Sequence, residues 1–393
     1  MTPEATSDLV GRIRSLSEAR GPRAYSLDHL VDLVDRLGLT RVLLVIDRGA
    51  ADATRATSRI RAQLGEKLVG EFDAFQPNPT SEQAAAAARA ALEARADGFV
   101  AFGGGSCMDV AKVASLGASH AERLVELCEG AEPAGVEPLP VVAVPTTSGT
   151  GSETTHFSAI YVRGRKVSVT HQSMRPRAVI MDIGLHSAMP PRLAASVGLD
   201  ALCQAVESTW AVGSTPESIE YSRLGGALVG ASLAESVLTG GVRAREAMMW
   251  GSHAAGMAID ISKTTAPHAL SYQFTTRYGI PHGIAAALTL GHIGRANGEV
   301  TDQNCRDPRG SEWVRSRVAD AAVAIGATSR SFPSAVRELL RRLGLPATLQ
   351  EAGVERAALA EMAAEVDPVR LSNNPRALTV AELVAVLDEA WPT

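Results

Sequence analysis

Three short apolar runs, each closing on a polar or glycine-rich turn, constrain the fold more than any other feature of the chain. They are RVLLVID (Arg41–Asp47), the run from Asp97 into GGGS at Gly103–Ser106, and PVVAVPTT (Pro140–Thr147). Their apolar residues are consecutive rather than alternate, which suits strands buried on both faces, as in parallel sheets. A fourth run, Leu68–Phe75, ends in the turn QPNPT at Gln76–Thr80. Between these runs lie stretches of helical spacing. One is Leu27–Leu37, stopped by Gly38; another is the alanine-rich Ser81–Ala96, capped by Thr80 or Ser81. Strand and helix in alternation predict a parallel α/β domain. After Pro190–Pro191 helical periods continue without β-branched runs. The expectation is therefore an α/β domain over 1–190, opening on a polar helical extension, and an all-α domain over 191–393.

A chain of 393 residues exceeds what one compact core usually holds, which fits two domains. Its net charge of −5 argues against a general nucleic-acid binder. No apolar run is long enough to span a bilayer, and the first stretch, with Glu4, Asp8, Arg12 and Arg14, does not read as a signal peptide. Cys107, Cys128, Cys203 and Cys305 form no CxxC pair, so a cytoplasmic location is expected.

Gly103, Gly104, Gly105 and Ser106 sit between a strand and a helix start. Glycines there let backbone approach a phosphate at a helix N-terminus, although a tight turn without a ligand has the same residues. A second polar loop, TTSGTGSETT (Thr146–Thr155), follows the next strand. Two such loops at strand C-terminal ends are where open α/β sheets bind ligands. The spacing is not that of GxGxxG. Asp47 ends the first strand, where a carboxylate accepts from a ribose hydroxyl and repels a 2′-phosphate. That favours NAD(H) over NADP(H), with a strand-end cap as the alternative.

In the second half, Asp200 and Gln204 stand four apart on one helix face. His268 lies in KTTAPHALSY with Tyr272 four later, and His282 follows Pro281 in YGIPHG. One carboxylate and two imidazoles suit Fe(II) or Zn(II); a glutamine offers only a neutral carbonyl oxygen. Among nine histidines, His29, His120, His186, His253 and His292 are read as satisfying local hydrogen bonds.

The motifs fall in a recognisable order: PNPT at Pro77–Thr80, GGGSCMDVAK at Gly103–Lys112, PTTSGTGSE at Pro145–Glu153, GLDAL at Gly198–Leu202, PHAL at Pro267–Leu270, IPHG at Ile280–Gly283 and NNPR at Asn373–Arg376. Together they resemble the iron-containing (group III) alcohol dehydrogenases over nearly the whole chain. The resemblance implies the dehydroquinate synthase-like fold, a dinucleotide-binding N-terminal domain, a helical metal-binding domain and commonly a homodimer. It places Gly104, Gly105 and Ser106 in the pyrophosphate turn and Asp109 in the same motif. Thr146, Thr147, Thr150 and Lys166 fall on cofactor-contacting positions, and Asp47 on the position separating NAD from NADP users. Asp200, His268 and His282 match three of four metal ligands.

Two departures from the family pattern stand out. Gln204 replaces the usual second ligand, a histidine, and Tyr272 replaces a histidine used as a proton relay. A tyrosine hydroxyl near a cation can still deliver a proton. DALCQAVESTWAVGSTPES, the segment around His268 and RLSNNPRALT are similar to the branch of the family that reduces phosphonoacetaldehyde to 2-hydroxyethylphosphonate. That implies a small anionic aldehyde as substrate. A phosphonate needs fixed positive charge and donors. Lys263, with Thr264 and Thr265, is the preferred holder of that charge; Arg277, before His282, reads equally as a binding group or a solvated surface charge, and His171, Ser173 and Arg175 are secondary. The alternatives are a general small-aldehyde dehydrogenase of the same family and a non-redox synthase or lyase on the related fold.

Overall fold

The computed structural model describes residues 1–118, 121–130 and 138–392, so His120 lies outside the described residues. They form two compact units: Arg14–Pro190, and Met1–Ile13 together with the chain from Pro191 onward.

The described residues of the α/β unit form eight strands: β1 (Arg23–Ala24), β2 (Val42–Ile46), β3 (Leu68–Phe72), β4 (Gly98–Gly103), β5 (Val141–Pro145), β6 (Phe157–Val162), β7 (Arg165–Thr170) and β8 (Ala178–Ile180). Six of them make a parallel sheet in the order β1-β8-β5-β4-β2-β3. Every residue of β2, β4 and β5 is buried, because helices cover both faces of a parallel sheet. The register pairs Ile46 with Phe102, and Gly103 with Pro145. Asp47, the Gly103 turn and Thr146 therefore emerge together at the C-terminal edge of the sheet. Thr80 caps the helix Ser81–Glu93 in a capping box with Gln83.

Three features differ from the expected α/β reading. β1 and β8 are too short to leave a period in the sequence. The segment after the TTSGTG loop folds as an antiparallel hairpin, β6–β7. Its two-residue turn, Arg163–Gly164, has φ of 47° and 78°, the positive values that match hairpin twist. The fourth run, Leu68–Phe75, stops being strand at Phe72.

The helical unit is built from Pro191–Trp210, Pro216–Leu238, Val242–Ser262, Ala266–Tyr278 and His282–Gly298, followed by shorter helices to Val380–Ala390. The start of the helix Pro3–Glu18 groups here rather than with the α/β unit: Val10 and Ile13 are buried and Arg12 pairs with Glu220. The NNPR segment fastens the C-terminal part to the His282 helix. Asn374 and Asn297 exchange amide hydrogen bonds, and Arg376 donates to the Ala296 carbonyl. No helix of the described residues is long and apolar enough to cross a membrane.

Candidate coenzyme loops and metal centre

Gly103 has φ of 157°, and a Cβ there would lie 2.7 Å from both Asp47 Cβ and Cys107 Cβ. Only glycine lets β4 turn into the helix Gly105–Gly117 beside Asp47. Gly104 and Gly105 form the start of that helix and pack against Thr147 and Thr150 respectively, so the two loops are one surface. Helix start, Ser106 and the threonine loop provide backbone N–H groups and hydroxyls of the kind that hold a pyrophosphate. The Thr146 hydroxyl is buried with no hydrogen-bond partner among the described residues, which suits a polar ligand at this edge.

Asp47 Oδ1 accepts from Ala50 N–H (3.1 Å), capping the helix Arg48–Thr54, so the strand-end cap expected as the alternative is present. The adjacent cation, Arg48, is held by Glu71 (2.8 Å) and Asp73 (2.7 Å).

Asp109 faces inward. Ser152 donates to it at 2.9 Å and Ala159 N–H at 3.4 Å, while burial raises its carboxyl. Lys112, fully buried, donates to the Ser152 carbonyl and hydroxyl and to Thr155. This pair ties the glycine helix to the threonine loop and hairpin, and Asp109 acts through that scaffold. Lys166 lies on β7 opposite Tyr161. His171 accepts from Ser173 N–H as a turn cap.

In the helical unit, Asp200, His268 and His282 come together, with ligand atoms all within 4.8 Å of one another. His268 Nε2 stands 3.1 Å from Asp200 Oδ1. That separation would let both atoms share one divalent ion. Gly283 makes the approach possible: a Cβ on it would lie 2.0 Å from the Ser196 carbonyl and 2.7 Å from Asp200 N. Ser271, which donates to the His268 carbonyl, lies 3.2 Å from His282 Nδ1. Gln204, one turn beyond Asp200, is buried on the same helix.

The local field favours a cation. Burial pushes the His268 imidazole down, but the Glu207 charge and hydrogen bonds to Asp200 and Glu207 outweigh it and hold the group at about 10. Glu207 was not singled out by the sequence; its oxygen lies 2.5 Å from His268 Nδ1. The donor set and the anionic surroundings fit a divalent metal.

Next to this cluster the Tyr272 ring stands edge-on to the His282 ring at 5.7 Å, and the Arg370 guanidinium lies 4.4 Å over its face. Arg370 was also missed. Lys263 ends the helix Val242–Ser262 with φ of 60°, a left-handed value costly for a side chain with a Cβ. Asn373 holds that turn by donating to the carbonyls of Ser262 (2.9 Å) and Thr264 (2.8 Å), so the Lys263 and Arg370 segments are fastened together. Arg277 instead pairs with Glu361 and Glu365 at the surface. Of the histidines set aside, His29 pairs with Asp32, His186 with Ser148, and His253 packs edge-on to Trp250, while His292 lies 3.6 Å from Glu389.

The parallel sheet with its glycine and threonine loops, and the Asp200–His268–His282 cluster of the helical unit, fit the class of nucleotide- and metal-dependent enzymes. The family model "Iron-containing alcohol dehydrogenase" matches residues 23–183, and the model "Fe-containing alcohol dehydrogenase family, C-terminal" matches 194–391. The chain belongs to the iron-containing alcohol dehydrogenase family and is an oxidoreductase of its alcohol dehydrogenase and aldehyde reductase class. It is 37% identical over 321 residues to a phosphonoacetaldehyde reductase of Streptomyces viridochromogenes, covering 79% of this chain and 80% of that one. It is 33% identical to a probable alcohol dehydrogenase of Escherichia coli, over 75% of this chain and 73% of the relative. Among solved structures, sulfoacetaldehyde reductase from Bifidobacterium kashiwanohense in complex with NAD+ superposes with a TM-score of 0.84 at 28% identity, covering 94% and 96% of the two chains.

Proposed function

We propose that the protein reduces a small anionic aldehyde to a primary alcohol with NADH, and that phosphonoacetaldehyde, giving 2-hydroxyethylphosphonate, is its substrate. The observation that carries the metal-dependent part is the Asp200–His268–His282 cluster in its anionic surroundings. A divalent ion held there, Fe(II) or Zn(II), supplies Lewis-acid polarisation of a carbonyl oxygen, and a nicotinamide coenzyme supplies the hydride. The chain's own residues do the rest. Gly104, Gly105, Ser106, Thr146, Thr147, Thr150 and Lys166 hold the coenzyme, and Asp47 selects NAD(H) over NADP(H). Tyr272, beside His282, delivers the proton to the product oxygen. Gln204 completes the site as a weak fourth ligand through Oε1. The enzyme works as a cytoplasmic homodimer.

The anionic substrate is supported by Arg370 over Tyr272 and by Lys263, whose strained turn is tied to the same segment. Two relatives are named for aldehydes that carry an acidic oxyanion group. The test is kcat/KM for phosphonoacetaldehyde against an uncharged aldehyde of similar size, read by NADH oxidation. A preference of about 10- to 100-fold is expected, the value of a hydrogen bond to a charged group. Equal values would mark a general small-aldehyde dehydrogenase. Product formed without net NADH consumption would mark a non-redox enzyme.

A further inference from the structure

We infer that Glu207 is the positioning residue of the metal centre: it fixes the His268 ring and the start of the helix that carries it. Asp200, Gln204 and Glu207 stand at i, i+4 and i+7 on the helix Pro191–Trp210, along one face. Glu207 is completely buried, so its charge carries a large desolvation cost that its contacts must offset. Both oxygens are used. Oε1 accepts from His268 Nδ1–H at 2.5 Å. Oε2 accepts from Thr265 N–H at 2.6 Å and from the Thr265 hydroxyl at 2.9 Å. Trp210 Nε1–H in turn donates to that hydroxyl at 3.0 Å.

Thr265 is the residue that precedes the helix Ala266–Tyr278. One carboxylate thus anchors the first turn of the His268 helix and also its imidazole. With Nδ1–H held by Glu207, Nε2, whose proton here bridges to Asp200 Oδ1 at 3.1 Å, is the nitrogen that would give up its proton to a metal. A glutamate that served only as a helix cap would need Thr265 and not the ring. Substitution by glutamine breaks the arrangement whichever way the amide turns, because its NH2 opposes either Thr265 N–H or His268 Nδ1–H.

This inference rests on the metal-dependent reading above, and the experiment separates the two. Metal affinity would be measured by chromogenic-chelator competition with Zn(II), and ligand field by the visible spectrum of the Co(II)-loaded protein. The samples are wild type, His268→Ala, Glu207→Gln and Thr265→Val, with Tm recorded for each. We expect wild type to bind, His268→Ala to lose binding, and Glu207→Gln to bind about 10- to 100-fold more weakly with an altered Co(II) spectrum. Thr265→Val should lower Tm and leave the spectrum unchanged. Glu207→Gln with wild-type affinity and spectrum, alongside a defective His268→Ala, overturns the positioning role alone. A wild type that binds no metal overturns the metal reading and this inference with it. If Glu207→Gln does not fold, selectively 15N-labelled wild type loaded with Zn(II) decides. His268 must then show a protonated Nδ1 and a metal-bound Nε2, and the reverse assignment refutes the proposal.

Discussion

Gly283→Ala should open the metal centre without touching a ligand. The added Cβ would sit 2.0 Å from the Ser196 carbonyl oxygen, 2.7 Å from Asp200 N and 2.9 Å from Asp200 Cβ. The first two are backbone atoms inside a long helix and cannot rotate away. A carbon reaches a carbonyl oxygen comfortably only at about 3.3 Å, so the two helices must part by on the order of 1.3 Å. Metal–ligand distances tolerate about 0.2 Å, so His282 cannot follow its helix and still share an ion with Asp200. Alanine improves helix propensity by about 1 kcal/mol, against an overpacking cost of about 1–3 kcal/mol or more. Net stability should therefore fall modestly while metal affinity falls by orders of magnitude. Chelator competition and a thermal melt read the two separately. Affinity within twofold of wild type would refute the claim that this helix contact sets the ligand geometry.

Gln204→His should tighten metal binding in the same competition assay, because an imidazole is the better donor; no tightening, with Gln204→Ala also at wild-type affinity, would remove Gln204 from contact with the ion. Asp47→Gly should raise NADPH use relative to NADH with little loss of stability, since glycine replaces a helix cap at a cost of a few tenths of a kcal/mol; a wild type that strongly prefers NADPH contradicts the role given to Asp47. Arg370→Gln should lower kcat/KM for phosphonoacetaldehyde about 10- to 100-fold and leave an uncharged aldehyde nearly unaffected; equal losses would make Arg370 a support for Tyr272 only.

The parts of the fold that depend on consecutive burial were readable in the sequence. β2, β4 and β5 are apolar throughout because both their faces are covered. β1 and β8 hold two and three residues, and their pairing is decided by neighbours in space, not by any local pattern. The hairpin has a local signal, the two-residue turn Arg163–Gly164 after the alternating strand β6. At the metal centre, Asp200, His268 and His282 stood out by residue type and by family motif. Glu207 did not, because a glutamate within a helix looks solvated until the fold brings it a histidine 61 residues away in sequence. Arg370 is likewise an ordinary surface cation in sequence, and only the packing of its short helix lays it on Tyr272. Gly283 closes the IPHG motif, but the reason a glycine is needed there comes from Ser196, on another helix.

The most direct test of the account is a titration of chelator-stripped protein with Fe(II), and separately Zn(II), following NADH oxidation with phosphonoacetaldehyde. The Asp200–His268–His282 cluster, the one such group among the described residues, predicts activity that rises linearly with added metal and plateaus at one equivalent per chain. His282→Ala should show no such rise. Full turnover by the stripped protein, or by His282→Ala, would contradict it.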